Sequence, residues 1–170
     1  AGWARDAGVG QVILVARSEE KVQFAQRLGF METINGSLTD AGEYICKRTG
    51  GAGADACIEG TGLSEGLEAC ALSTRIFGRI VTLANPVGEM RLSQAAYWQI
   101  LRQELAVVGT WNSSFAKAEN DWQVVLAAMQ SKVIDVEPLI THRFRLEDYR
   151  EAFGLMHEKR EMYCKVMFVL

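Results

Sequence analysis

The run Val12-Ile13-Leu14-Val15-Ala16-Arg17-Ser18-Glu19-Glu20-Lys21 decides how the rest of the chain is read. Val12–Val15 is a short apolar run, too brief for a helix and suited to a buried strand. Ser18 follows, a side chain that caps helix N-termini by accepting from a backbone N–H one turn on. Val22, Ala25 and Leu28 then recur at helical spacing, and Gly29 supplies the stop. A buried strand running into a capped helix is the repeating step of an alternating α/β chain.

The same step recurs outward from this stretch. Upstream, Ala1–Ala7 reads as the last turns of a helix ended at Gly8 and Gly10. Downstream, Met31–Ile34 predicts a short strand and Asn35-Gly36-Ser37 a turn. Thr39 is the expected cap of a helix through Ile45 to Arg48, ended by Gly50–Gly53. Ala54–Glu59 predicts a buried strand broken by Gly60 and Gly62, after which Leu63, Leu67, Cys70 and Ala71 share one helical face. Gly78–Ala84 predicts a strand stopped by Asn85-Pro86, Ser93–Leu101 a helix, and Leu105–Thr110 a strand ending at Trp111–Ser114. Trp122, Val125, Leu126 and Met129 repeat at helical spacing and read as core positions. Pro138–Phe144 is extended, Leu146 to Lys159 helical, and Lys165–Leu170 a closing strand. The alternation predicts an α/β fold with a doubly wound parallel sheet covered on both faces.

A chain of 170 residues is one domain by length, and 49% apolar residues suffice for a core. The formal net charge of −3 gives no reason to expect nucleic acid or an acidic membrane surface as partner. No apolar run is long enough to span a bilayer, and Ala1–Ala7 is neither basic nor long enough for a signal peptide. Cys46, Cys57, Cys70 and Cys164 are widely spaced with no C-x-x-C pair. They are expected to be reduced thiols of a cytoplasmic protein rather than metal ligands or disulfides.

In a doubly wound sheet the second strand ends at the adenosine ribose, and its tip residue reads the 2′ position. NAD-type sites place a carboxylate there. Here the tip is Ala16, followed by Arg17 and Ser18, whose guanidinium and hydroxyl suit a 2′-phosphate. Two readings of Arg17 stand open: an NADP determinant, or a solvated loop charge. Glu59-Gly60-Thr61-Gly62 closes a strand with small residues, as needed where backbone approaches a ligand or simply turns. Leu83-Ala84-Asn85-Pro86 and Thr110-Trp111-Asn112 also lie just beyond strand ends, the edge where open α/β sheets bind ligands. His142 and His157 read as structural or solvated. No nucleophile elbow, no H-E-x-x-H and no partnered carboxylate pair is present.

With these loops in place, the chain resembles the cofactor-binding part of medium-chain zinc-dependent dehydrogenases. The resemblance is carried by Val12–Lys21, Ala25 to Gly29, Gly53–Gly62, Gly78–Ala84, Leu101 to Leu105, Gly109–Trp111 and Lys165–Met167, and covers essentially the whole chain. Within that family, Leu105–Phe115 and Pro138–Phe144 are similar to polyol dehydrogenases, those acting on galactitol 1-phosphate and sorbitol in particular. The resemblance implies a two-domain enzyme that transfers hydride between a polyol or polyol phosphate and NADP or NAD. It implies zinc bound outside this chain, and a homodimer or homotetramer formed through Leu105–Thr110. Cofactor contacts are implied at Ala16, Arg17, Ser18 and Lys21 on the ribose side, and at Thr61 on the adenine side. Leu83, Asn85, Thr110 and Asn112 fall beside the nicotinamide carboxamide, and Lys165 near the pyrophosphate. No catalytic or metal-binding residue of the family falls on this chain.

The family's G-x-G-x-x-G turn and its preceding strand would stand immediately upstream of Ala1. Residues 1–170 are therefore expected to be a partial dinucleotide-binding domain lacking the first strand and that glycine-rich turn, and inactive alone. Val12–Val15 and Ala54–Glu59 would then flank a vacant place in the sheet rather than pair directly. Two other readings remain: a non-catalytic nucleotide-binding or dimerisation module, and a zinc-free relative of the quinone-reductase kind.

Overall fold

The computed structural model describes residues 1–116, 118 and 120–170. They fall into two compact units, one made of 1–33 with 113–170 and the other of 34–112.

The first unit opens on α1 (Gly2–Asp6), ended at Gly8 with φ +77° as its helical ending predicts. Strand β1 (Leu14–Ala16) follows, two residues later than the apolar run suggests. The shift has a simple cause. Pairing starts only where the Leu14 N–H reaches the Glu32 carbonyl at 2.9 Å, so Val12 and Ile13 lie outside the ladder. Helix α2 (Glu19–Arg27) is capped by Ser18, whose hydroxyl accepts from the Lys21 N–H. Glu19 and Glu20 in its first turn and Arg27 in its last complement the helix dipole. Gly29 takes φ +85° just past the end, as predicted. Strand β2 (Thr33–Asn35) pairs with β1.

Further along the first unit, α6 (Asp121–Gln130) begins at the Asn120 cap. Its expected core stripe is not buried: Trp122 is 61% and Leu126 60% exposed, and within this helix Ala128 is the buried residue. Periodicity identified the helix correctly, but not what covers its apolar side. A single 3₁₀ turn at Glu137–Leu139, with Pro138 in its first positions, leads into β6 (Ile140–Arg145). A second turn at Leu146–Asp148 opens α7 (Tyr149–Glu158), which crosses to β7 (Lys165–Val169), parallel to β6. Ala152 and Leu155 are the buried residues of α7.

The second unit starts with α3 (Ala41–Arg48). Its cap is Asp40, not Thr39: the Asp40 carboxylate accepts from the Glu43 N–H at 2.8 Å. The Thr39 N–H donates to the Asn35 carbonyl, which places Thr39 in the preceding turn. Strand β3 spans Ala54–Glu59 as predicted, and α4 (Ser64–Ser73) runs straight into β4 (Thr74–Thr82). That early start of β4 is irregular. Ala54 pairs with Thr74, but Ala56 pairs with Arg79, so β4 loops out before regular pairing resumes. Phe77 takes φ +57° in this excursion, its N–H bonded to the Gln103 carbonyl. The regular strand stops at Thr82, short of Ala84, as the chain turns towards Asn85-Pro86.

Ser93 caps α5 (Gln94–Arg102), and β5 (Ala106–Gly109) completes a parallel sheet in the order β3-β4-β5. Its core is Ala71, Ile80, Ala96 and Leu105, with Leu67, Cys70 and Ile100 packed against it. Both α4 and α5 thus lie on the Ile80 face. On β3 Ile58 is 61% exposed, so the expected burial of that strand on both faces is not met within this unit. Strands β1 and β3 belong to different sheets. No helix among the described residues is long and apolar enough to cross a membrane.

Gly53 sits where β3 starts, with φ +88°, and a Cβ there would stand 2.8 Å from both the Ser73 carbonyl oxygen and the Arg75 nitrogen. Gly53→Ala should therefore cost about 2–4 kcal/mol, combining left-handed strain with backbone overlap. Gly51→Ala has similar φ, +89°, but open space around it, and should cost only about 1–2 kcal/mol. Urea unfolding of the two variants in the intact protein measures the difference; equal losses would show that the close approach is immaterial.

Candidate cofactor-binding site

Three strand-end loops of the second unit converge. Glu59 closes β3 and is 3% exposed, yet it carries a carboxylate. Its Oε1 accepts from the Thr61 N–H at 2.7 Å, the Thr61 hydroxyl at 2.5 Å and the Gly62 N–H at 3.0 Å. Its backbone carbonyl accepts from the Leu83 N–H at 2.9 Å. A buried carboxylate is tolerable only when donors surround it, and here the donors are the turn itself. The Glu59-Gly60-Thr61-Gly62 loop is therefore folded around one oxygen.

Gly62 has φ +69°, and a Cβ on it would overlap the Asn85 carbonyl oxygen. The Gly62 carbonyl in turn accepts from the Val87 N–H at 2.9 Å, which locks the loop after β3 to the loop after β4. The third loop joins through the Thr110 N–H, which donates to the Thr82 carbonyl at 3.0 Å. Thr61, Leu83, Asn85, Thr110 and Asn112 are thus placed at the C-terminal ends of adjacent parallel strands, and all five are exposed. Asn112 holds φ +53°, a conformation asparagine adopts more readily than most residues. The Leu83 and Thr110 N–H groups are committed to the sheet, so neither is free to donate to a ligand. Any ligand donor arriving there meets carbonyl oxygens and side chains instead.

The first unit holds the other group. Ala16 is the last residue of β1, Arg17 lies exposed beyond it, and Ser18 is engaged as the α2 cap. Lys21 lines a cleft of about 410 Å³ together with Glu20 and the α7–β7 connection, Lys159 to Tyr163. That connection was not singled out from the sequence, although it sets Lys159 and Arg160 beside Lys21. Its signal was present in the basic pair that follows Glu158. Arg160 bonds the Glu158 carboxylate at 2.5 Å, and that ion pair holds the Glu158 carboxyl below the usual range. Lys165 lies at the start of β7, in the sheet with β6 rather than the one with β1.

His142 is mostly buried, bonded to the Thr141 hydroxyl at 2.9 Å and 3.3 Å from the Glu161 carboxylate, while His157 is exposed on α7. All four cysteines are free thiols, half-buried rather than fully in the core. Among the described residues no three His, Cys, Asp or Glu side chains gather in a way that would hold a metal ion. The residues present do not fit a zinc site.

Residues 1–131 match the family model for zinc-binding dehydrogenases. An L-threonine 3-dehydrogenase of Bacillus licheniformis is 26% identical over 155 residues, covering 91% of this chain and 43% of that protein. Galactitol 1-phosphate 5-dehydrogenase of Escherichia coli K12 is 29% identical over 150 residues, covering 85% of this chain and 42% of that protein. The crystal structure of galactitol-1-phosphate dehydrogenase from Escherichia coli superposes with a TM-score of 0.85 at 23% identity, over 97% of this chain and 48% of that one. The chain therefore spans less than half the length of these relatives. By the family match and the strand-end loops together, this chain belongs to the zinc-binding dehydrogenases, in their Rossmann-like C-terminal part.

Proposed function

We propose that residues 1–170 are the partial dinucleotide-binding domain of an NADP-preferring dehydrogenase acting on a polyol or polyol phosphate. The observation that carries this reading is the Glu59-centred union of three loops at the C-terminal sheet edge, the place where doubly wound folds hold cofactors. Gly62 lacks the side chain that would collide with the Asn85 carbonyl, so the loops after β3 and β4 close against each other at this edge. When bound, the nicotinamide ring gives or takes the hydride. Thr61 is assigned to the adenine side, and Leu83, Asn85, Thr110 and Asn112 to the carboxamide, whose NH₂ meets their carbonyl oxygens. Zinc belongs to the parent enzyme, outside this chain.

On the ribose side, Ala16 leaves no carboxylate to repel a 2′-phosphate. Arg17 and Lys21 supply positive charge, and the Ser18 oxygen already serves its helix. Lys165 is assigned to the pyrophosphate. Free thiols at all four cysteines support a cytoplasmic enzyme. A second substrate reading has its own support: L-threonine 3-dehydrogenases are among the relatives, so an amino alcohol competes with a polyol phosphate. Turnover of the intact protein with galactitol 1-phosphate but not L-threonine is the expected result, and the reverse would replace the polyol reading.

The cofactor reading predicts that Arg17→Ala loses about 1–3 kcal/mol of NADP binding, the scale of a charged hydrogen bond, with NAD little changed. Steady-state kinetics of the intact enzyme with both cofactors tests it, and an equal loss for both would make Arg17 a mere surface charge. Glu59→Gln neutralises the oxygen that gathers the loop, and should cost about 1–3 kcal/mol in stability. It should also raise KM for cofactor more than it lowers kcat. An unaltered cofactor KM in a destabilised variant would reduce Glu59 to a folding residue.

The homodimer is proposed through β5, the outer strand of its sheet, where Val107 is 47% and Val108 44% exposed. Edge strands this apolar are otherwise open to unwanted pairing. Val107→Lys should shift the intact enzyme from dimer, or from tetramer, towards smaller species in sedimentation velocity. An unchanged sedimentation coefficient would place the interface elsewhere.

A further inference from the structure

Helix α4 descends along β3 in fixed register, and this brings two thiols face to face. At one end, a Cβ on Gly66 would stand 2.8 Å from the Glu59 carboxylate, so Gly66 lies over Glu59. At the other end, the Ser73 carbonyl lies against Gly53, which immediately precedes β3. Between them, Cys70 is one helical turn after Gly66, and Cys57 is one pleat before Glu59 on the same face. A helical turn and a two-residue strand step have nearly equal rise, so Cys70 falls over Cys57. Cys57 pairs across the sheet with Ile80, and Cys70 packs on the core cluster that contains Ile80.

The local chemistry makes the two sulfurs unequal. The Cys70 thiol donates to the Cys57 sulfur, which brings the Cys57 pKa down to about 7 against the opposing effect of burial. The Cys70 pKa is raised, first by that same hydrogen bond, then by burial and by the negative charges of Cys57 and Glu59. The Thr74 hydroxyl, which donates to the Cys70 carbonyl at 2.7 Å, lowers the Cys57 pKa as well, by less than Cys70 does. Both thiols are half-buried.

We propose that Cys57 and Cys70 form a peroxide-reactive pair, Cys57 as the attacking thiolate and Cys70 as the resolving thiol, which closes to a disulfide joining β3 to α4. The Cys57 thiolate attacks one peroxide oxygen, the O–O bond breaks, and hydroxide leaves, giving a sulfenic acid. Cys70 loses its proton to that hydroxide and attacks the Cys57 sulfur; the S–O bond breaks and a second water forms on protonation. Two thiols are oxidised by two electrons in all, and one hydrogen peroxide is reduced to two waters.

Both cysteines lie between Arg48 and Arg75 with no Lys or Arg between, so one tryptic peptide carries them. The intact protein is treated with a small excess of hydrogen peroxide, alkylated, digested and weighed. The expected result is a peptide Thr49–Arg75 lighter by two hydrogens and unalkylated, restored by dithiothreitol, while Cys46 and Cys164 still take the alkylating reagent. In Cys70→Ser the reaction should stop at a Cys57 sulfenic acid that dimedone traps; Cys70→Ala serves the same purpose should the serine variant fold poorly. Prior oxidation of Cys46 or Cys164 would overturn the proposal. So would Cys57 passing to sulfinic acid beside a free Cys70.

Discussion

The site depends on one buried carboxylate. Glu59 terminates a strand in a place closed to water, and its charge is met by three donors from two residues, Thr61 and Gly62. This reverses the usual order of cause in a turn. The loop does not merely permit the buried glutamate; the glutamate organises the loop, because an unpartnered carboxylate there would cost several kcal/mol. Its backbone carbonyl extends the effect to the neighbouring strand by holding the Leu83 N–H. The sheet edge that carries the three loops is thus assembled from the inside.

Close backbone contacts do the rest, and each depends on the absence of a side chain. Gly62 lets the first loop touch the second at Asn85, Gly66 lets α4 approach the Glu59 carboxylate, and Gly53 lets β3 begin against the end of α4. These contacts set the helix close against the strand. Its register then determines which side chains meet beneath it, including the two sulfurs of Cys57 and Cys70.

The apolar surface left over belongs to the same physical account. Val107, Val108, Trp111 and Trp122 are all substantially exposed, too much apolar area to leave in water without consequence. The chain spans less than half the length of its curated relatives. Exposed β5 supports association through that strand, while the face of α6 shows only that its periodicity was a true helical signal.

Local chemistry was legible from residues close together in sequence. Ser18 as cap, Gly29 as stop, Ala54–Glu59 as a strand and the Leu67-Cys70-Ala71 helical face all follow from short-range preferences and periodicity. So did the identity of the loops at the strand ends, since turn residues after an apolar run mark an edge whatever lies beyond it. Three things were decided only by tertiary structure. The strand boundaries of β1 and β4 moved because pairing begins where a partner carbonyl or a bulge allows, and neither partner is local. The role of Glu59 was hidden because a glutamate at a strand end looks solvated until the surrounding backbone closes over it. The meeting of Lys21 with Lys159 and Arg160, and of Cys57 with Cys70, depends on how helices lie against strands, a relation between distant segments that no periodicity encodes.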